Sequence, residues 1–148
     1  MIPSMKNLIF LIILSSTAFS TESNKVELIW KRNHSKKHLR LAKTFVDGKN
    51  YHAAAWHMQK YVNSDLPFGQ YEENILKKIV INIGTSSFNS ISEKTVRKTS
   101  SGSLAFIVGI NYSRNSKYKD SLRILGLVPY GHPFSAEARF VAGISAYF

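Results

Sequence analysis

The 148-residue chain contains no cysteine. That absence excludes a disulfide framework, a thiolate metal site, a cysteine nucleophile and a lipid-anchoring cysteine behind a signal peptide. Acidic residues are few: 9 Asp and Glu stand against 20 Lys and Arg, a formal net charge of +11. They are scattered, mostly over turns and polar helix faces, so no two carboxylates can be claimed as an acid and base pair. There is no glycine-rich phosphate loop and no HExxH-type metal pattern. Hence no enzymatic activity, metal or cofactor is expected. Long apolar runs are also missing after residue 20. The longest uncharged stretches, 99–113 and 124–136, are short and broken by Ser, Asn, Gly or Pro, which excludes a membrane span there. What the chain does have is 44% hydrophobic and 20% charged residues, the composition of one globular domain.

The opening MIPSMKNLIFLIILSSTAFS places one lysine, Lys6, before an unbroken apolar run over 8–14 and a small-residue stretch ending Ala18, Phe19, Ser20. This is the three-part layout of a secretory signal peptide, with Ala18 and Ser20 in the places a signal peptidase reads. The rival reading is a membrane anchor. Seven apolar residues cover roughly 10 Å of a hydrocarbon core about 30 Å thick, which favours the signal peptide. Export and cleavage between Ser20 and Thr21 are therefore expected, into the periplasm or the medium. The mature chain would keep 19 basic and 9 acidic residues, +10.

Residues 21–34 are polar and mixed, except for Val26, Leu28, Ile29 and Trp30, and read as a tether packing one short apolar segment. From Ser35, a suitable N-cap, the pattern turns helical. His38, Leu39, Ala42, Phe45 and Val46 fall on one side, and Lys36, Arg40 and Lys43 on the other. Gly48 can end this helix, and Asn50 can cap a second over 51–63. A third is expected over 70–83, a short weak one within 85–102, and further helices over 104–112, 117–127 and 133–148. The stretch LAFIVGINY at 104–112 can pass for a buried strand by its β-branched content.

Internal periodicity decides that ambiguity. Leu41-Ala42, Ile75-Leu76, Val108-Gly109 and Ala142-Gly143 recur at steps of 34, 33 and 34 residues. Phe45 then aligns with Ile79, Tyr112 and Ala146, and Tyr51, Ala54 and Met58 align with Tyr118, Ser121 and Leu125. Small residues return where helices would cross closely and bulky ones where the next helix fills the gap, as a stack of helical hairpins requires.

This pattern resembles the tetratricopeptide repeat family, whose 34-residue unit carries a small residue at position 8, an aromatic at 11 and a small residue at 20. With Ser35 as position 1, Ala42, Phe45 and Ala54 take these places, and Gly109, Tyr112 and Ser121 take them in the third unit. Leu76 departs from the small residue, Ala146 from the aromatic, and His38, Glu72, Ala105 and Arg139 stand where the family has tryptophan. The segment YGHPFSAEARFVAGISAYF is also similar to units of outer-membrane assembly lipoproteins and Tol-Pal coordinator proteins. The resemblance implies an all-α fold over 35–148, a right-handed stack of helical hairpins forming an α-solenoid of about three and a half repeats.

The resemblance also implies a concave groove lined from the first helix of each unit. Lys36, Leu39 and Lys43, then Gln70, Glu73 and Lys77, then Ser103, Phe106 and Arg114 hold such places. Lys36, Leu39, Lys43, Lys77, Phe106 and Arg114 make it a basic and apolar groove, suited to an acidic protein or peptide partner. The plainer reading of the basic run from Lys31 to Lys49 is a solvated helix face. Trp30 and Trp56 read first as partly buried anchors. His38 reads as a packed helix-face histidine rather than a metal ligand. The expected function is an exported scaffold or adaptor. The alternatives are an anionic-surface binder, on lipid headgroups or wall polymer, and the helical part of a larger envelope enzyme. Nucleic acid is disfavoured by export. The last helix shows Phe140, Ile144, Tyr147 and Phe148 with few charges, so self-association at that end is also expected.

Overall fold

The computed structural model describes the backbone of residues 5–148 and the side chains of residues 24–148. The expected signal peptide, 1–20, lies outside the residues whose side chains are described. The described residues form seven helices: α1 Met5–Asp47, α2 Tyr51–Val62, α3 Gln70–Ile83, α4 Glu93–Thr99, α5 Gly102–Arg114, α6 Tyr118–Leu125 and α7 Ser135–Tyr147. No strand occurs among them, so the fold is all-α. The β-branched stretch 104–112 is helix, as the recurring pattern required.

The chain divides into two units, Met1–His34 and Ser35–Phe148. In the first, residues 24–34 are helical where a polar tether packing one apolar segment was expected. The physical reason is local. No Gly or Pro interrupts this stretch, and it is braced at i,i+4 by a Lys31–Glu27 ion pair at 2.5 Å and by Trp30 stacked on His34 at 5.1 Å. Val26, Leu28, Ile29 and Trp30 remain exposed rather than packed. Ser35 is likewise not an N-cap: it lies inside α1 and is buried.

In the second unit, Ala42 and Val46 of α1 join Ala54, Ala55 and Met58 of α2 and Ile75, Leu76, Ile79 and Val80 of α3 in the core. Asn50 caps α2 by accepting a hydrogen bond from the Ala53 N–H at 3.3 Å. Gly69 precedes α3, and its N–H donates to Glu72 Oε2 at 2.9 Å. Tyr61 fastens the intervening turn by donating to the Pro67 carbonyl at 2.6 Å. Burial, with the neighbouring Glu72 carboxylate, pushes the Tyr61 hydroxyl up to about 12.

Helix α5 is the central element. Every residue from 101 to 110 is buried, and α5 packs on α3, α4, α6 and α7. Its crossing with α6 is very close. A Cβ at Gly109 would lie 2.5 Å from the Leu125 side chain, and Ser121 Oγ donates to the Gly109 carbonyl at 2.8 Å. Helix α4 is tied to α6 at the surface by Glu93, which accepts from both Arg97 and Arg123. Those two guanidinium hydrogen bonds hold the Glu93 carboxyl down at about 2. Helix α7 packs on α5 and α6 through Ala138 and Ser145.

Candidate functional site

The most concentrated polar chemistry in the second unit gathers around Glu73. This residue projects from α3 toward the N-terminus of α5, whose N-cap is Ser101. Ser101 Oγ accepts from the Leu104 N–H at 3.1 Å and spends its own proton on Glu73 Oε2. The Ser103 N–H and hydroxyl both donate to Glu73 Oε1, at 3.0 and 2.6 Å. The fourth donor is His132 Nε2, at 2.9 Å, from the loop 126–134 between α6 and α7. Gly102 admits that loop, because a Cβ there would lie 2.7 Å from the His132 ring.

The Glu73 side chain is only 12% exposed. Burial on its own raises its pKa. The donors from Ser101, Ser103 and His132 outweigh that and hold the carboxyl below its ordinary value of 4.5. Helix α5 has no acidic residue in its own first turn. Glu73 therefore supplies from another helix the negative charge that a helix N-terminus favours.

A serine, a histidine and a glutamate thus stand together, but their connectivity does not fit nucleophilic catalysis. His132 Nδ1 faces the Phe134 N–H at 3.3 Å, which places the ring proton on Nε2. Nε2 is also the nitrogen nearest Ser103 Oγ, at 3.4 Å. A base must present a lone pair to its nucleophile and its N–H to the carboxylate on the other side of the ring. Here Glu73 and Ser103 share one nitrogen, and Ser103 is fully buried. The cluster acts as a latch joining α3, α5 and the α6–α7 loop.

The latch forms one wall of a cleft of about 320 Å³, lined by Phe68, Gln70, Lys77, Ser100 and Pro129 among others. Both Glu73 carboxylate oxygens accept from the protein, Oε1 from three donors and Oε2 from one, and the cationic side chain that lines the cleft beside them is Lys77. It takes part in no ion pair among the described residues. Gln70 is engaged with Asn74 at 3.0 Å.

Of the residues expected to line a groove, the structure brings the three from α3, Gln70, Glu73 and Lys77, to this cleft. Lys36 is exposed on α1, and Leu39 is half-buried against the core. Lys43 is half-buried and paired with Asp47 one turn on. That pairing outweighs the effect of burial and raises the Lys43 pKa. Arg114 is exposed in the last turn of α5. Phe106, expected in the groove, belongs instead to the core. It is 3% exposed and stacks on Phe134 at 4.7 Å, because the long α6–α7 loop folds its aromatic over that position. His38 is half-buried, and its Nδ1 lies 2.8 Å from His57 Nδ1. Burial lowers the His57 pKa, and His57 stacks on Phe45. Trp30 and Trp56, read as partly buried anchors, are each more than half exposed. Among the described residues, no three His, Asp or Glu gather at metal-binding distance.

Sequence reasoning missed the Glu73 latch. A usable signal existed: a long apolar helix opening on Ser101 and Ser103 with no acid in its first turn asks for a carboxylate from elsewhere in the chain. Compared with known proteins, the chain matches no family model, no curated protein and no solved structure.

The latch makes a pH prediction. Glu73 has a folded pKa below its unfolded one, so its contribution to stability is complete above about 4.5 and is lost as the pH falls through the lower, folded value. Urea unfolding between pH 6 and 3 should show wild-type stability falling more steeply than that of Glu73→Gln. Parallel curves would mean that the carboxylate is not held ionised by the fold.

Proposed function

We propose that the chain is an exported helical-repeat adaptor, a right-handed stack of tetratricopeptide-like hairpins that binds an acidic peptide segment of a partner protein. The repeat reading is supported by the small residues at its register positions. Ala42 and Ala54 are fully buried in the first unit, and the matching Gly109 and Ser121 make the closest crossing of the third. The binding reading is carried by one observation: Lys77, without an ion-pair partner among the described residues, lines an open cleft beside a carboxylate already held by four donors of the protein. Lys36 and Lys43 extend the basic character along α1. A peptide carboxylate is the complementary group, and electrostatic matching of this kind contributes chiefly selectivity and association rate.

The test is selection of random peptides displayed on phage against the full chain. Enrichment of acidic sequences is expected, with affinity falling roughly tenfold or more when Lys36, Lys43 and Lys77 are all replaced by Glu. Equal loss from Lys37→Glu and Arg40→Glu, which are also exposed on α1, would favour diffuse charge attraction over a groove. Selection of no acidic consensus contradicts the reading.

A second reading, attachment to an anionic surface, is favoured by the helical stretch 24–34. There Val26, Ile29 and Trp30 are exposed beside Lys25, Lys31 and Arg32, the composition of a helix lying at a lipid interface. Binding to anionic vesicles that falls steeply with salt and requires Trp30 distinguishes it from peptide capture.

A further inference from the structure

We propose that the outer face of α7 is where two copies of this chain pair, and that Gly143 is the notch at the centre of that contact. Gly143 stands in the same register as Gly109, two repeat members 34 residues apart. Their surroundings are opposite. A Cβ at Gly109 would strike Leu125 at 2.5 Å, whereas one at Gly143 would meet nothing within 4 Å. A surface that packs against α6 in one unit is therefore uncovered in the next.

The uncovered face is apolar. Ala136, Phe140, Gly143, Ile144 and Tyr147 follow one another at helical spacing, opposite the buried Ala138 and Ser145. Phe140 is 69% exposed and Tyr147 88%. A helix apolar on both sides is characteristic of a buried element, not of a surface one. With Ile144 and with Phe148, which stacks one side of its ring on Tyr118 of its own chain at 5.2 Å and is otherwise exposed, these residues expose roughly 500 Å² of apolar surface, taking 150–250 Å² for each aromatic. With a polar rim this approaches the ~800 Å² per partner of a standard interface.

The spacing selects a second copy as the occupant. In an antiparallel pair of α7 helices with its two-fold axis beside the 143–144 peptide, Phe140 lies against the second copy's Tyr147. Ile144 then enters the notch at the second copy's Gly143, and both contacts occur twice. Such reciprocity is what a two-fold interface demands of a single surface. Charge does not oppose it. Only Glu137 and Arg139 are charged on α7, and the Arg139 guanidinium lies 3.5 Å over the Tyr130 ring. The inference does not depend on what the cleft binds.

Sedimentation of the full chain over a concentration series tests it. Wild type should show a monomer–dimer equilibrium. Gly143→Trp should be monomeric and melt as dilute, dissociated wild type does, since the new side chain meets open space within its own chain. Tyr147→Glu, at a largely exposed position, should also be monomeric. Because the chain has no cysteine, Ile144→Cys should form an intermolecular disulfide on mild oxidation while Lys78→Cys, exposed on α3, should not. A wild-type monomer at the highest attainable concentration overturns the proposal. So does an assembly that survives both Gly143→Trp and Tyr147→Glu.

Discussion

Gly109→Trp should cost the protein at least about 3 kcal/mol of folding stability, since even a methyl group at this position lands inside the van der Waals surface of Leu125. The clash cannot be relieved cheaply. The Leu125 backbone nitrogen lies 3.3 Å from the same point, so α6 as a whole must move away from α5. That movement would also break the hydrogen bond from Ser121 to the Gly109 carbonyl and uncover Ile124 and Leu125, both now buried. Against a typical total stability of 5–15 kcal/mol the loss is severe. Gly109→Ala should show the same effect at reduced size, about 1–3 kcal/mol. Urea unfolding followed by circular dichroism measures both. A Gly109→Trp variant as stable as wild type would mean that α5 and α6 do not cross at this point.

Glu73→Ala should be destabilising by about 3 kcal/mol, the second largest effect expected of a single substitution. It strips an acceptor from the Ser101 hydroxyl, the Ser103 hydroxyl and N–H, and His132 Nε2 at once. A buried donor left without a partner costs about 1–3 kcal/mol. Water entering from the adjacent cleft can satisfy some of the four, which keeps the total below their sum. Glu73→Gln should cost less, because it retains an acceptor oxygen while its amide N–H₂ faces donors. Removing the loop's contribution with His132→Ala should lower stability less than Glu73→Ala and should loosen the 126–134 loop first, visible as faster amide exchange there. Stability of Glu73→Ala within about 0.5 kcal/mol of wild type would show that the latch does not hold these elements together.

Much of the helical frame could be read from residue order. Helix α3 occupies the expected stretch, because Ile75, Leu76, Ile79, Val80 and Ile83 keep helical spacing and Gly84 follows. Helix α5 carries a β-branched stretch that local preference leaves undecided. The recurrence of Val108-Gly109 at the 34-residue interval identified it as helix, and its tertiary neighbours explain why. It is buried on all sides, where a close Gly–Leu contact needs helical geometry. The start of the second unit was less visible. Ser35 has the chemistry of a cap, but nothing in 24–34 stops a helix, so α1 runs through it.

The cleft and its lining were legible only in part. Placing Phe106 in a groove followed from the register of α5 alone. It could not account for the loop 126–134, whose conformation is irregular and which carries Phe134 onto that ring. The Glu73 latch joins residues 28 to 59 positions apart, with no periodicity to connect them. Lys77 can be named from the register because it lies on a regular helix, and its place beside the latch emerges only when the α6–α7 loop is in place. The uncovered α7 face was visible beforehand as a run of aromatic and aliphatic residues with few charges. What the fold adds is the contrast between Gly109, pressed against its neighbour, and Gly143, open.

Helices α5 and α6 cross closely at Gly109, against Leu125 and Ser121. The most direct test is a nuclear Overhauser experiment on the full chain with labelled glycine and leucine methyl groups. Strong cross-peaks are expected from the Gly109 Hα protons to the Leu125 Cδ2 methyl group, because the space a Cβ would fill lies 2.5 Å from that carbon. Gly109 Hα protons that show contacts only within their own helix would contradict the crossing.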